Sequence, residues 1–185
     1  RGGDYYESGE RPRRGVTVAR MIGHMTFVSL ARMAGRTQDR IVQPPGLLTS
    51  YRMQDPIESY IAHHATKFEP RFDANAYLRI LHLWQTYDVA RDHLSDAADI
   101  GDLVGLFAAR CQHQRWLVFS IDSDVCFAPA EQLAHVQVLK QAGLLVHYLV
   151  VHSDKGHDSF LLDPDLYAPQ IRATLDAAHE AARAG

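Results

Sequence analysis

Two apolar runs near the end of the chain set the strongest limit on its fold. Arg115-Trp116-Leu117-Val118-Phe119-Ser120-Ile121 and Val146-His147-Tyr148-Leu149-Val150-Val151 are strand-length and rich in β-branched and aromatic residues. Between them Leu133, Val136 and Leu139 recur at helical spacing over 130–142, and Gly143 stands where a helix C-cap belongs. Strand, helix, strand reads as a parallel pair joined by a crossover. A parallel sheet is buried on both faces, and two strands with their helices cannot supply that cover. The runs are therefore expected to pair with a sheet lying upstream of Arg1. The start Arg1-Gly2-Gly3-Asp4, with neither Met nor an apolar leader, fits a piece of a longer chain rather than a signal peptide.

Both runs end in residues with chemistry. The first leads into Asp122-Ser123-Asp124, the second into Asp154-Lys155-Gly156-His157-Asp158. A histidine behind a glycine has room to reach over the carboxyl edge of a sheet, where ligands of open α/β sheets bind. A strand-end Asp followed by a strand-end His is the order in which α/β-hydrolases place acid and base. No G-x-S-x-G nucleophile turn occurs in these residues. Read by pattern, Asp124 and His157 serve equally well as turn residues, and Asp122 is the nearest rival for the acid.

Upstream, the chain reads as helical. Val16, Ala19, Gly23, Phe27 and Leu30 recur at helical spacing over 16–34, with Arg20 on the face of Phe27. Such an arginine is ordinarily a snorkelling or ion-paired group. Residues 35–54, with Pro44, Pro45 and Gly46, form a long connection. Asp55-Pro56-Ile57-Glu58 then opens a helix with an N-cap, a first-position Pro and a capping-box Glu. Its stripe is Ile57, Tyr60, Ile61, His64 and Phe68. Asp73 caps a further helix whose stripe, Tyr77, Ile80, Leu81, Trp84 and Tyr87, suits packing within a cap or at a dimer contact. Leu103 to Ala109 adds a short helix, and a last one ends near Ala182 after a turn at 163–168.

Composition excludes several classes. The net charge of −3, without a run of Lys or Arg, leaves no footprint for nucleic acid. No apolar segment is long enough for a bilayer. Cys111 and Cys126 lack metal or redox spacing and read as free thiols of a reducing cytoplasm. Among the eleven histidines, His63 and His64 are adjacent and point to different helix faces, so no metal site is expected.

Several stretches together resemble the homoserine O-acetyltransferase family of the α/β-hydrolase fold. They are Asp4-Tyr5-Tyr6, Val18-Ala19-Arg20-Met21-Ile22-Gly23-His24-Met25-Thr26, Ile57-Glu58-Ser59-Tyr60, Lys67-Phe68, Arg71-Phe72-Asp73-Ala74-Asn75-Ala76-Tyr77-Leu78, Ser123-Asp124 and Gly156-His157-Asp158-Ser159-Phe160-Leu161. The resemblance implies an α/β chain: the C-terminal part of an α/β-hydrolase fold, with a helical cap over 1–113 and core strands and helices over 114–185. It implies a ping-pong transfer of acetyl from acetyl-CoA to L-homoserine in methionine biosynthesis, through a serine in an absent N-terminal half. Asp124 matches the triad acid and His157 the base. Arg20 matches the residue that holds the substrate carboxylate, and Asp158 the one that meets its amino group. Acetyl-CoA is then a co-substrate and no resident cofactor is expected. The partners implied are the two small molecules, a second copy in a homodimer and the missing half.

The chain departs from the family at two points. Phe27 stands where the family usually carries Tyr, which removes one hydroxyl contact to the substrate. Cys126 stands where succinyl users tend to carry Arg and acetyl users Leu, so a succinyl carboxylate would lack a cation, and acetyl is expected. Competing readings are a succinyltransferase, a serine acyltransferase or an esterase on the same scaffold. From another class comes a truncated, non-catalytic dimerisation module.

Overall fold

A computed structural model describes residues 3–37, 40–46, 50–94 and 99–184. The chain divides into two compact units, Arg1–Tyr87 and Asp88–Gly185.

The first unit is helical. It contains α1 (Arg13–Phe27), α2 (Leu30–Arg36), α3 (Pro56–Phe68) and α4 (Ala74–Thr86). The helix expected over 16–34 is two helices. Val28 leaves α1 in an extended conformation and is buried with Met33 and Ile61, while the Ser29 side chain accepts the Arg32 N–H and starts α2. The buried side of α1 is also turned from the expected stripe. Val16, Thr17 and His24 are inside, whereas Leu30 is 66% exposed. Helix α3 starts as its sequence dictates: Asp55 accepts the Ile57 N–H at 2.8 Å and Glu58 closes the capping box. It packs Ile57, Tyr60 and Ile61 against Val28 and Met33.

Asp73 caps α4 by accepting the Ala76 N–H at 2.8 Å, and the Tyr5 hydroxyl donates to the same carboxylate. Asn75 reaches Gly3 O at 3.0 Å and the Tyr6 hydroxyl at 3.1 Å. Two stretches far apart in sequence, Asp4-Tyr5-Tyr6 and Asp73-Ala74-Asn75, are therefore one hydrogen-bonded corner. On α4 itself no residue is buried; Tyr77 meets Phe72 edge-on, while Ile80, Trp84 and Tyr87 are exposed.

The second unit carries α5 (Val89–His93), α6 (Ile100–Arg110), β1 (Arg115–Ile121), α7 (Pro129–Gln141), β2 (Leu145–Val151), α8 (Ser159–Leu162) and α9 (Ala168–Ala184). Strands β1 and β2 are parallel, in register from Arg115 opposite Leu145 to Ile121 opposite Val151. Gly143 (φ +76°) ends the crossover helix, where the left-handed region favours glycine. Val136 and Leu139 of α7 are fully buried, but Leu133 of the expected stripe is 41% exposed. Helix α6 packs here too: Val104, Phe107, Ala108 and Cys111 join Trp116 and Val146 around Leu139, Ala142 and Leu144. The apolar side of α6 thus packs on α7 and on Trp116 of β1, within the second unit. On the other side Phe119, Ile121 and Val151 pack on Tyr167. A short 3₁₀ turn at Pro164–Leu166 precedes α9, as Pro164 and Pro169 suggest. No described helix is long and apolar enough to cross a membrane.

Candidate active site

The carboxyl ends of β1 and β2 lie side by side, and each hands over to a polar loop. After Ile121 the chain turns, with the Asp124 N–H donating to Ile121 O at 3.0 Å. Asp124 is buried. Its Oδ1 accepts the backbone N–H groups of Cys126 (2.8 Å) and Phe127 (3.0 Å), which leaves Oδ2 aimed across the sheet edge. After Val151 the second loop runs to Gly156, whose φ of +69° opens the 3₁₀ turn carrying His157. His157 Nδ1 meets Asp124 Oδ2 at 2.8 Å. The imidazole is held between the rings of Phe127 and Phe160, with centroids 5.0 and 5.6 Å away.

The pair opens on a cavity of about 630 Å³ lined largely by apolar groups, among them Phe119, Phe127, Phe160, Tyr167 and Ile171. An imidazole in contact with a buried carboxylate has a defined orientation, and Nδ1–H donating to Asp124 leaves Nε2 as the basic nitrogen. Such an arrangement can take a proton from a hydroxyl and return it to a leaving group.

Asp122, the rival for the acid, faces elsewhere. Its Oδ2 lies 2.8 Å from His152 Nδ1, and its Oδ1 accepts the Ser153 N–H at 3.0 Å. The Ser153 N–H, then His152, holds its carboxyl below the usual carboxylate range. Cys126 is half-buried two residues after Asp124, and burial, then the Asp124 charge, pushes its thiol pKa up. Asp158 follows His157 in the same turn, partly buried, at the N-cap position of α8 but without a side-chain capping bond.

The two other expected site residues belong to the first unit. The Arg20 guanidinium lies over the Phe68 ring, 4.8 Å from its centroid, so the pairing Arg20 makes there is with a π-face. Phe27 ends α1 with its ring against Gly23. Beside Arg20, His24 is buried with no hydrogen-bond partner for Nε2 among the described residues, its ring stacked on His64 at 5.1 Å. Burial, then the charges of His64, Arg20 and Arg36, lowers its pKa to about 4.

Sequence reasoning passed over Ser123, whose Oγ accepts the Gly156 N–H at 3.0 Å. The signal was its place between two acidic residues at a strand end. It also passed over Ser120, which receives the Tyr148 hydroxyl at 2.9 Å beneath the site.

No protein-family model matches the chain. It is 38% identical over 175 residues to homoserine O-succinyltransferase of Nitrosomonas eutropha, covering 95% of this chain and 44% of that protein. To homoserine O-acetyltransferase of Caulobacter vibrioides it is 35% identical over 181 residues, 96% of this chain and 44% of the relative. The chain therefore spans less than half the length of these relatives. In fold it is similar to homoserine O-acetyltransferase from Bacillus anthracis, with a TM-score of 0.70 at 17% identity, over 92% of this chain and 42% of that one. Over almost all of its own length the chain is thus related in sequence to homoserine O-acyltransferases, of which it spans less than half, and its fold matches part of one such enzyme.

Proposed function

We propose that the chain is the acid- and base-bearing part of a homoserine O-acyltransferase, with Asp124 as the acid, His157 as the base and acetyl-CoA as the donor. The observation that carries this reading is the 2.8 Å contact between His157 and Asp124 beside an apolar cavity. In the first half-reaction His157 takes the proton of a serine hydroxyl contributed by sequence outside these residues. The serine oxygen bonds to the thioester carbonyl carbon, the C–S bond breaks, and the proton passes to the departing CoA sulfur. In the second half-reaction His157 takes the homoserine hydroxyl proton. The new C–O bond forms as the serine ester breaks, and the proton returns to the serine. Asp124 stabilises the imidazolium in both halves.

Arg20 is proposed to hold the homoserine carboxylate and Asp158 its ammonium group, since one cation and one anion at fixed separation orient an amino acid. Phe27 offers the substrate no hydroxyl. Residues 1–113 serve as cap and 114–185 as core, in a cytoplasmic homodimer without a resident cofactor. The exposed aromatic side of α4 suits a contact between copies.

A succinyl donor is the second reading, because relatives of similar identity carry both names. Cys126, with no cation to offer a succinyl carboxylate, favours acetyl. The deciding assay is CoA release from acetyl-CoA and from succinyl-CoA, with and without homoserine. It is made on the chain expressed with its full reading frame and on His157→Ala. Homoserine-dependent release that His157→Ala abolishes supports the transferase. Release that ignores homoserine points to an esterase, and faster release from succinyl-CoA overturns the acetyl assignment.

A further inference from the structure

We infer that Ser123 is a positioning residue for the acid–base pair, setting where the His157 imidazole stands relative to Asp124. The inference rests on the reading of those two residues given above. Three consecutive residues after β1 lace onto the loop after β2. Asp122 accepts the Ser153 N–H at 3.0 Å, Ser123 Oγ accepts the Gly156 N–H at 3.0 Å, and Asp124 meets His157 at 2.8 Å. The backbone ladder runs on to the Asp122 N–H, which donates to Val151 O at 3.1 Å. From there the two loops are joined by side chains.

Of these bonds, the one from Gly156 bears most directly on the base. Gly156 is buried, and loss of the serine oxygen would cost its N–H the hydrogen bond it makes there. Its φ of +69° sets the direction of the peptide that leads into His157. Rotation of that peptide swings the imidazole directly. Asp124 is anchored separately, by the Cys126 and Phe127 N–H groups of its own loop. The acid is thus fixed from within β1's loop, whereas the base is fixed to the acid's loop through Ser123. Neither oxygen nor proton of Ser123 enters the transfers, so its role is exerted through Gly156.

The test reads the tautomer of His157 in the full chain, by correlating ring protons with imidazole nitrogens in an NMR spectrum. This needs no turnover, so its failure is separable from failure of the acyl-transfer reading. Ser123→Ala is expected to lower the ratio of Nδ1-protonated to Nε2-protonated imidazole by about tenfold, the effect of losing one hydrogen bond. Ser123→Thr, which keeps the acceptor, is expected to restore it, with amide shifts of 115–121 and 145–151 unchanged in both. An unaltered ratio in Ser123→Ala overturns the inference. Should Ser123→Ala unfold the strand pair, Ser123→Cys, of similar size and weaker as an acceptor, decides by the same ratio. A shifted ratio in a protein without homoserine-dependent CoA release leaves Ser123's role standing and removes the transferase reading alone.

Discussion

His157 Nδ1 and Asp124 Oδ2 lie 2.8 Å apart although 33 positions separate them in the chain. Parallel pairing of β1 and β2 brings their loops to one edge, and the Asx-type bonds from Cys126 and Phe127 turn the carboxylate toward the ring. Asp124→Asn keeps this shape but offers an amide N–H or an uncharged oxygen to Nδ1. In the proposed transferase it is expected to lower kcat by about three to four orders of magnitude with little change in homoserine KM. Steady-state CoA release checks it.

Arg20 separates acceptor recognition from chemistry. Arg20→Ala removes a charge-assisted contact to the proposed homoserine carboxylate and is expected to raise homoserine KM by about 10- to 100-fold. Hydrolysis of a simple ester by the same variant should be unchanged. A parallel loss of acyl transfer and of ester hydrolysis would assign Arg20 to packing on Phe68 instead.

The helical unit should weaken in mild acid. His24 has a folded pKa of about 4 against an ordinary 6.5, chiefly through burial and then the neighbouring His64, Arg20 and Arg36 charges. Between those values the unfolded chain binds the proton and the folded chain does not, so stability falls as pH drops from 6.5 to 4. The loss reaches on the order of 3 kcal/mol below that window. Denaturant midpoints of wild type and His24→Gln across pH 4–7 should converge toward the acid end. Parallel curves would exclude His24 as the source.

Cys126 should be a poor nucleophile. Its raised thiol pKa leaves less thiolate at neutral pH, so alkylation should run slower than for a free cysteine and quicken on unfolding. Introducing a cation by Cys126→Arg is expected to move the donor preference toward succinyl-CoA, read as the ratio of kcat/KM for the two thioesters.

Leu139 is fully buried among Ala142, Leu144 and the apolar side of α6. Leu139→Ala is expected to cost about 2–5 kcal/mol, seen as a lower urea midpoint with an unchanged slope.

What could be read without coordinates follows a physical division. The capping box at Asp55 and Glu58, the cap at Asp73, the C-terminal Gly143 and the two apolar runs are local signals, and each appears where its residues direct. The single helix expected over 16–34 is broken instead, because burial of Val28 against Met33 and Ile61 outweighs continued helical propensity. Leu30 and Leu133, each at the edge of its expected stripe, are exposed, because periodicity gives a face only to within the width of a turn. At the site, pattern left Asp122 beside Asp124 as a candidate and the family resemblance pointed to Asp124 and His157, while Ser123, set between the two acidic residues, was given no role.

The sequence by itself determined the strand–helix–strand order, the residues at each strand end and the shortage of strands for a parallel sheet covered on both faces. These depend on neighbours a few positions away. Only the tertiary structure decided that Asp124 rather than Asp122 faces His157, that Asp122 turns to His152, and that Ser123 ties the two loops together. Asp122 and Asp124 lie on either side of one turn, and their side chains leave it in different directions. Which carboxylate meets the imidazole is set by parallel register and by the left-handed turn at Gly156, relations that exist only once both strands are paired.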